Sequence, residues 1–205
     1  MALLLPQEYD VRYFDPWKAD YAHVAGYSRY EKWRRVHDAF TTHQESTGEY
    51  FSDMMKMYRV QQFLDGKKVL DVGCAKGFMV EALRDMGVNA WGVDCSAYAI
   101  GEAREDIRPF LIQADAREYL PALKKNSFNV IYSRWFLTCM SDADLTVVIP
   151  AMNNAGFLQI HHIWTDFLPE HYNCHPMEWW LSGAGFKRGT RLIYKDDIAN
   201  PFTVK

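Results

Sequence analysis

The chain has 205 residues, a formal net charge of −3 and 15% aromatic residues. This length suits one domain with a small appendage at most. The slightly acidic balance and the lack of a basic block disfavour a nucleic-acid partner, because phosphate-binding proteins concentrate Lys and Arg on one face. No apolar stretch approaches the roughly 20 residues of a membrane span, so no membrane partner is expected.

The number and spacing of the cysteines indicate the cellular compartment. The sequence has four of them, and none forms a C-x-x-C pair. The amino terminus, MALLLP, lacks the basic start of a secretory signal. Free thiols and a cytoplasmic location are therefore expected.

Two regions differ in composition. Residues 1–60 are rich in Tyr, His, Trp and charged residues, which predicts a helical and irregular segment laid over a domain. From residue 67 onward, strand and helix patterns alternate. We therefore expect an N-terminal lid at 1–60 and a main domain at 61–205.

Apolar runs predict the elements of that domain in chain order. Strands are expected at 67–71, 89–94, 109–115, 127–135 and 157–163, with two more in 187–194 and 201–205; helices are expected at 78–86, about 97–105, 142–155 and 175–186. Ser141 with Asp144 resembles a capping box, and Pro150 should kink or interrupt the helix that follows. The alternation predicts an α/β fold with a doubly wound, mostly parallel, seven-stranded Rossmann-like sheet.

The turn V-L-D-V-G-C-A-K-G at 69–77 excludes two phosphate-binding motifs. A P-loop needs G-x-x-x-x-G-K followed by Ser or Thr, whereas here Lys76 precedes Gly77. Lys76 is therefore expected to face solvent. A dinucleotide turn needs a second glycine where Ala75 stands, and Asp71 at the strand end would oppose a pyrophosphate.

A cationic ligand suits this turn better. An acid at the strand end favours a sulfonium or ammonium group, and Gly73 and Gly77 allow the backbone to approach a ligand closely. The first turn of the following helix offers N–H groups to a carboxylate. S-adenosylmethionine carries all three of these groups.

D-V-G-C-A-K-G at 71–77 resembles the D-x-G-x-G/A-x-G motif of class I S-adenosylmethionine-dependent methyltransferases. Residues 60–194 are similar to the small-molecule and glycan-modifying members, including methyltransferase domains 11 and 23. The resemblance implies that Asp94 binds the ribose hydroxyls and Asp115 the adenine amino group. The implied cofactor-binding set is Asp71, Gly73, Cys74, Ala75, Gly77, Asp94, Cys95, Asp115, Ala116 and Ser133. A role for the acids as mere strand-end caps is disfavoured, because they end consecutive strands at the edge where such folds bind ligands.

The sequence departs from the family at the position of the catalytic base. Many small-molecule members carry Glu-His after the fourth strand, where this chain has Thr138 and Cys139. The replacement candidates are His161 and His162, at the end of the fifth strand, which alternation points to opposite faces. A structural, hydrogen-bonded histidine is the alternative for each.

The lid and the acceptor pocket complete the expected site. The N-terminal segment resembles the leader of many bacterial methyltransferases, and Tyr13, Tyr27 and Tyr30 are expected to line the entrance. Arg134 is a further candidate for the acceptor pocket. No metal is predicted, because H-x-x-C-H at 171–175 lacks a companion ligand pair.

The expected activity is methyl transfer to an oxygen or nitrogen of a small-molecule or glycan acceptor. The Pro-Pro and Pro-Cys motifs of DNA-modifying members are absent after the fourth strand, so a nucleic-acid methyltransferase is disfavoured. The alternative from another class is a binding module that holds S-adenosylmethionine as a non-catalytic partner subunit.

Overall fold

The computed structural model describes residues 9–15, 58, 60–163, 175–194 and 202–203. Within these ranges the strands form one sheet in the order β3-β2-β1-β4-β5-β6-β7. Neighbouring strands from β3 to β6 pair in parallel, and β7 pairs antiparallel with β6. The strands are β1 (Lys68–Val72), β2 (Asn89–Asp94), β3 (Leu111–Gln113), β4 (Phe128–Arg134), β5 (Gly156–Ile163), β6 (Arg191–Tyr194) and β7 (Phe202–Thr203).

Helix α1 (Val11–Phe14) precedes the sheet, and further helices lie in the connections between the parallel strands. These are α2 (Phe78–Asp85), α3 (Ala97–Gly101), α4 (Ala116–Tyr119), α5 (Asp142–Ala155) and α6 (Met177–Ser182). Residues 108–110 and 137–139 form short 3-10 turns. The predicted doubly wound, mostly parallel α/β sheet is confirmed.

The sheet is covered on both faces, as the apolar sequences of its strands require. Side chains alternate along β1, so that Val69 packs in the core layer on one face and Leu70 in the layer on the other. The first layer includes residues of α2, and the second includes residues of α5 and α6.

The strand order reverses at the centre of the sheet. The chain runs outward from β1 through β2 to β3, then returns to β4 on the other side of β1. In open α/β sheets, the connections that diverge at such a point leave a crevice beyond the carboxyl ends of the strands. The fold therefore places a ligand crevice beside the turns that follow β1 and β4.

Local capping explains where the helices begin. The Ser96 hydroxyl accepts a hydrogen bond from the backbone N–H of Ala99 and begins α3. Ser141 and Asp144 form the expected capping box at the start of α5. Both contacts satisfy N–H groups that have no partner within their helix.

Three expectations about the elements are corrected. Helix α5 continues through Pro150, because Pro150 and Thr146 both lie on its exposed face, where the unbonded Thr146 carbonyl can be hydrated. The third strand is shorter than expected, since Arg108–Phe110 forms a 3-10 turn that contains Pro109. Helix α4 was not anticipated; Asp115 caps its first turn.

The packing of β5 against β4 can be tested by a substitution at Gly156. A Cβ at Gly156 would lie 2.2 Å from Cγ1 of Ile131, whose side chain is fully buried. We expect Gly156→Ala to lower the free energy of unfolding by about 1–3 kcal/mol, the usual cost of overpacking. Urea denaturation measures this change.

Gly101→Ala is the matched control. A Cβ at Gly101 would meet no atom within 4 Å, and Gly101 is the last residue of α3. Alanine there should leave stability unchanged or raise it slightly, because glycine is the poorer helix former. Equal unfolding midpoints for the two variants would contradict the packing described for Ile131.

Candidate functional site

A cavity of about 220 Å³ opens at the carboxyl edge of the central strands. Its wall is mainly apolar and aromatic, and three carboxylates and two arginines interrupt it. The lining residues come from α1 and from the ends of four strands: Tyr9, Tyr13, Phe14, Gly73, Ala75, Val93, Asp94, Cys95, Ala114, Asp115, Ala116, Arg117, Arg134, Trp135, Phe136, Cys139, Met140 and Asp144.

The turn after β1 forms one side of this cavity. The backbone N–H groups of Gly73 and Cys74 donate to the Val93 carbonyl at 2.9 and 3.1 Å. Gly73 has φ of 75°, and a Cβ there would lie within 2.7–3.0 Å of Phe136 side-chain atoms. Glycine is therefore required at position 73 both by the backbone conformation and by the contact with Phe136.

Asp94, at the end of β2, joins this turn to the next connection. One carboxylate oxygen accepts from Ala75 N–H and the other from Ser96 N–H, each at 2.8 Å. Burial raises the pKa of Asp94, and the backbone N–H donors oppose that increase. Because each carboxylate oxygen has two acceptor positions, Asp94 retains capacity for hydroxyl groups of a ligand.

Asp115 belongs to a chain of charges on the cavity wall. Its carboxylate accepts from Arg117 N–H at 2.9 Å and pairs with the Arg117 guanidinium at 2.5 Å. Hydrogen bonds from Arg117 hold the pKa of Asp115 below its usual range. Arg117 also reaches Asp144 at 3.3 Å. The sequence analysis missed Arg117, whose only local signal was its position two residues after a capping acid.

Four of the expected cofactor-binding residues lie outside the cavity lining. Asp71 is buried within β1, between its partners Gly92 and Tyr132. Cys74 packs against Gly92, and Gly77 begins α2 with φ of 71°. Asp71, Cys74 and Gly77 therefore support the conformation of the turn and do not form part of the cavity wall. Ser133, the fourth, is fully buried in β4.

His161 lies in the core, and its geometry does not support a role as catalytic base. The ring is fully buried, with Nδ1 at 2.9 Å from the Ser133 hydroxyl and Nε2 at 2.9 Å from the Gln159 side-chain oxygen. It also stacks on Phe186. Burial lowers the pKa of His161 to about 3, and His162 and Lys187 add to this effect.

His162 points away from the cavity as well. Its ring is fully buried and packs edge-on against Tyr132, with centroids 5.6 Å apart. As expected, the side chains of His161 and His162 point to opposite faces of the sheet, but both faces are covered. Helices α2 and α5 contribute to those two layers, which leaves neither ring at the cavity wall.

Two thiols near the cavity, those of Cys74 and Cys95, stay protonated at neutral pH. Burial, with Asp94 and Asp115 nearby, raises the pKa of Cys95 to about 12. Burial also raises the pKa of Cys74 well above its ordinary value. Cys139 lines the cavity and donates its S–H to the Trp135 carbonyl at 3.2 Å. Neither Cys74 nor Cys95 therefore offers a ready thiolate nucleophile.

The N-terminal segment forms another wall of the cavity and corrects the expectation for Lys76. The Lys76 ammonium is buried and pairs with Asp15 at 2.5 Å. Asp15 also accepts from the Tyr98 hydroxyl at 2.8 Å. These contacts hold α1 against the turn, and Tyr13 lines the cavity as expected. Tyr27 and Tyr30 lie outside the described residues.

Metal binding and membrane insertion were also examined in the structure. Within the described ranges, no three His, Cys, Asp or Glu side chains are grouped to hold a metal ion. None of the helices described above is both long and apolar enough to cross a membrane. His171 and Cys174 of the H-x-x-C-H motif lie outside the described residues.

Histidine burial predicts a pH dependence of stability. Between the ordinary pKa of 6.5 and the folded value of about 3, the unfolded chain binds one more proton at His161 than the native protein. The free energy of unfolding should therefore fall as pH falls, by about 1.4 kcal/mol per pH unit from this residue. Urea unfolding of wild type and His161→Gln from pH 7 to pH 4 measures this dependence. If the free energy of unfolding changed with pH at the same rate in both proteins, the neutral, buried state of His161 would be refuted.

The Lys76–Asp15 pair predicts how α1 is held. Lys76→Met removes one partner of a buried ion pair, which typically costs about 3–5 kcal/mol. We expect residues 9–15 to exchange amide hydrogens faster in this variant, while α5 keeps its protection. The control is Lys125→Met, at an exposed lysine. Unchanged exchange at residues 9–15 would show that the ion pair does not hold the segment.

Comparisons with known proteins agree with the motif order. Residues 69–155 match the family model described as "Methyltransferase domain". The chain is 39% identical over 54 residues to a protein of Methylococcus capsulatus named "Ubiquinone biosynthesis O-methyltransferase", and 42% identical over 52 residues to one so named from an Azoarcus species. These matches cover 26% and 25% of this chain and 23% and 22% of the relatives, so the chain matches under a quarter of their length.

Two solved structures show a remote likeness. A SAM-dependent methyltransferase from Archaeoglobus fulgidus is 19% identical, with a TM-score of 0.48, over 68% of this chain and 75% of that one. Magnesium protoporphyrin IX methyltransferase from Synechocystis PCC 6803, with bound SAH, is 15% identical, with a TM-score of 0.48, over 79% and 85%.

Proposed function

We propose that this chain is a class I S-adenosylmethionine-dependent methyltransferase and that it transfers a methyl group to an oxygen or nitrogen atom of a small-molecule or glycan acceptor. The observation that carries the proposal is the position of Asp94. Its carboxylate ends β2, lines the cavity and is held by the backbone of the turn after β1.

The donor set of the cavity fits S-adenosylmethionine. Three carboxylates, those of Asp94, Asp115 and Asp144, line it, which suits a ligand that carries a sulfonium and an ammonium group. Gly73 supports the same fit, since a side chain there would displace Phe136 from the cavity wall. A pyrophosphate would instead meet the Asp94 carboxylate, which forms no ion pair with an arginine among the described residues, and that contact is electrostatically unfavourable.

We assign the cofactor contacts as follows. Asp94 accepts hydrogen bonds from the ribose hydroxyls, and the backbone of Gly73 and Ala75 borders the methionine moiety. Cys95 and Ala116 border the adenine, and Asp115 accepts from its amino group. Arg117 acts as a positioning residue, because its guanidinium orients the Asp115 carboxylate.

The reacting group comes from the cofactor, which supplies an electrophilic methyl group on a sulfonium when bound. The residues of this chain align the acceptor and exclude water. Tyr13 and Phe14 cover the cavity from α1, while Trp135 and Phe136 wall it beyond the end of β4. These aromatic surfaces favour a compact, ring-containing acceptor over an extended polymer. The two partial relatives named O-methyltransferases support oxygen as the acceptor atom.

Cofactor binding can be measured before any acceptor is known. Calorimetry should show binding of S-adenosylmethionine and S-adenosylhomocysteine to the wild-type chain. Gly73→Ala should weaken both affinities at least about tenfold, which corresponds to 1.4 kcal/mol, because its Cβ would displace Phe136, which lines the site.

Gly87→Ala provides the matched control for that variant. Gly87 has φ of 82°, close to that of Gly73, but a Cβ there would meet nothing within 4 Å. It shares the backbone strain and lies outside the cavity lining, so its affinities should equal those of wild type. Binding of a nicotinamide dinucleotide in place of both cofactor forms would overturn the proposal.

Transfer of labelled methyl groups to a panel of phenols, amines and sugars distinguishes an enzyme from a binding module. We expect a labelled product with at least one hydroxyl acceptor. Tight cofactor binding with no labelled product on any acceptor would instead favour the non-catalytic alternative raised by Thr138 and Cys139.

A further inference from the structure

A histidine–carboxylate pair lies near the cavity and has no role in the site described above. His175 Nε2 is 2.9 Å from Asp142 Oδ1. The imidazole stacks on Trp179 with centroids 3.7 Å apart and meets Trp180 edge-on. The Trp180 indole N–H also donates to the His175 carbonyl at 3.2 Å. The ring is thus held in one orientation, while 28% of the side chain stays exposed.

The topology brings this pair to the edge of the sheet that bears the cavity. Asp142 is the first residue of α5, which follows the carboxyl end of β4. Met140 and Asp144, two residues away on either side, both line the cavity. His175 precedes α6, which follows the carboxyl end of β5. Asp142 therefore directly follows the wall beyond β4 and holds His175 through their hydrogen bond, while neither residue is itself among those that line the cavity.

The hydrogen bond to Asp142 determines what the ring can do. With Nε2–H donating to the carboxylate, the neutral imidazole keeps a lone pair on Nδ1. No hydrogen bond joins Nδ1 to any of the described residues. The carboxylate therefore fixes the orientation of the ring and leaves Nδ1 as the nitrogen that can take a proton from an acceptor.

Other candidates for a base are worse placed. His161 and His162, the other histidines in the described ranges, are fully buried. Cys95 stays protonated, and Cys139 already donates to a backbone carbonyl. Among the described histidines, His175 alone combines a partly exposed ring with a carboxylate partner.

We propose that His175, oriented by Asp142, accepts the proton of an aromatic hydroxyl acceptor; this inference rests on the methyl transfer proposed above. A hydroxyl keeps its proton at neutral pH and needs a base, whereas an amine can react without one. The aromatic wall at Tyr13, Trp135 and Phe136 fits a ring beside the cofactor.

The proposed step balances without a further reactant. The acceptor O–H bond breaks and its proton passes to His175 Nδ1. The acceptor oxygen forms the new bond to the methyl carbon, the carbon–sulfur bond breaks, and its electron pair stays on sulfur. The imidazolium then releases its proton to solvent.

The test uses 4-nitrocatechol, whose visible absorption reports its ionisation. The probe is titrated into the full chain saturated with S-adenosylhomocysteine, so that no turnover is needed. At pH 6 we expect the ratio of bound anion to bound neutral probe to be roughly tenfold higher in wild type than in His175→Gln, a difference of one pKa unit. Asp142→Asn should give an intermediate ratio.

Glu178→Gln is the matched control, because it removes a carboxylate from the first turn of α6 and leaves the His175–Asp142 pair intact. It should behave as wild type. With a hydroxyl acceptor, His175→Gln should also lower kcat by about 10²–10⁴-fold and leave the KM for the cofactor unchanged.

The outcomes separate this inference from the function on which it rests. Failure of wild type to bind S-adenosylhomocysteine would overturn the proposed function itself. Cofactor binding with no probe binding, or with equal ionisation in wild type and His175→Gln, would overturn the role of His175 alone. A loss of both cofactor affinity and thermal stability in His175→Gln would indicate that His175 has a purely structural role.

Discussion

The two hydrogen bonds that the Asp94 carboxylate accepts from backbone N–H groups organise the site. They join the turn after β1 to the turn after β2, so that the connections diverging from the centre of the sheet keep a fixed spacing. The cavity lies between these connections, and its shape depends on that spacing. The same carboxylate is the group proposed to hold the ribose, so one residue both builds the cavity and binds in it.

Other contacts close the cavity around this centre. The buried Lys76–Asp15 pair brings Tyr13 and Phe14 over the turn. Arg117 plays a comparable part on the opposite side, where it neutralises Asp115 and Asp144. Without such pairing, carboxylates this close together would repel one another and bind protons more readily.

Proton transfer from the acceptor depends on residues near the ends of β4 and β5. The buried hydrogen bonds of His161 show that a histidine near the end of a central strand can serve the core rather than the site. The exposed His175, which has a carboxylate partner, is the better candidate for proton transfer. The family position usually held by Glu-His carries Thr138 and Cys139 here, so in our proposal the base comes from a different connection of the same sheet edge.

The sequence by itself determined the strand and helix alternation, the glycines of the turn after β1, and the acids at the ends of β2 and β3. These features depend on side-chain periodicity and on turn chemistry within a few residues, which a sequence displays directly. Only the tertiary structure decided that Lys76 meets Asp15 across 61 residues, and that His175 meets Asp142 across 33. It also decided that His161 is buried. Such pairings depend on which elements pack together, and no local pattern of residues encodes that packing.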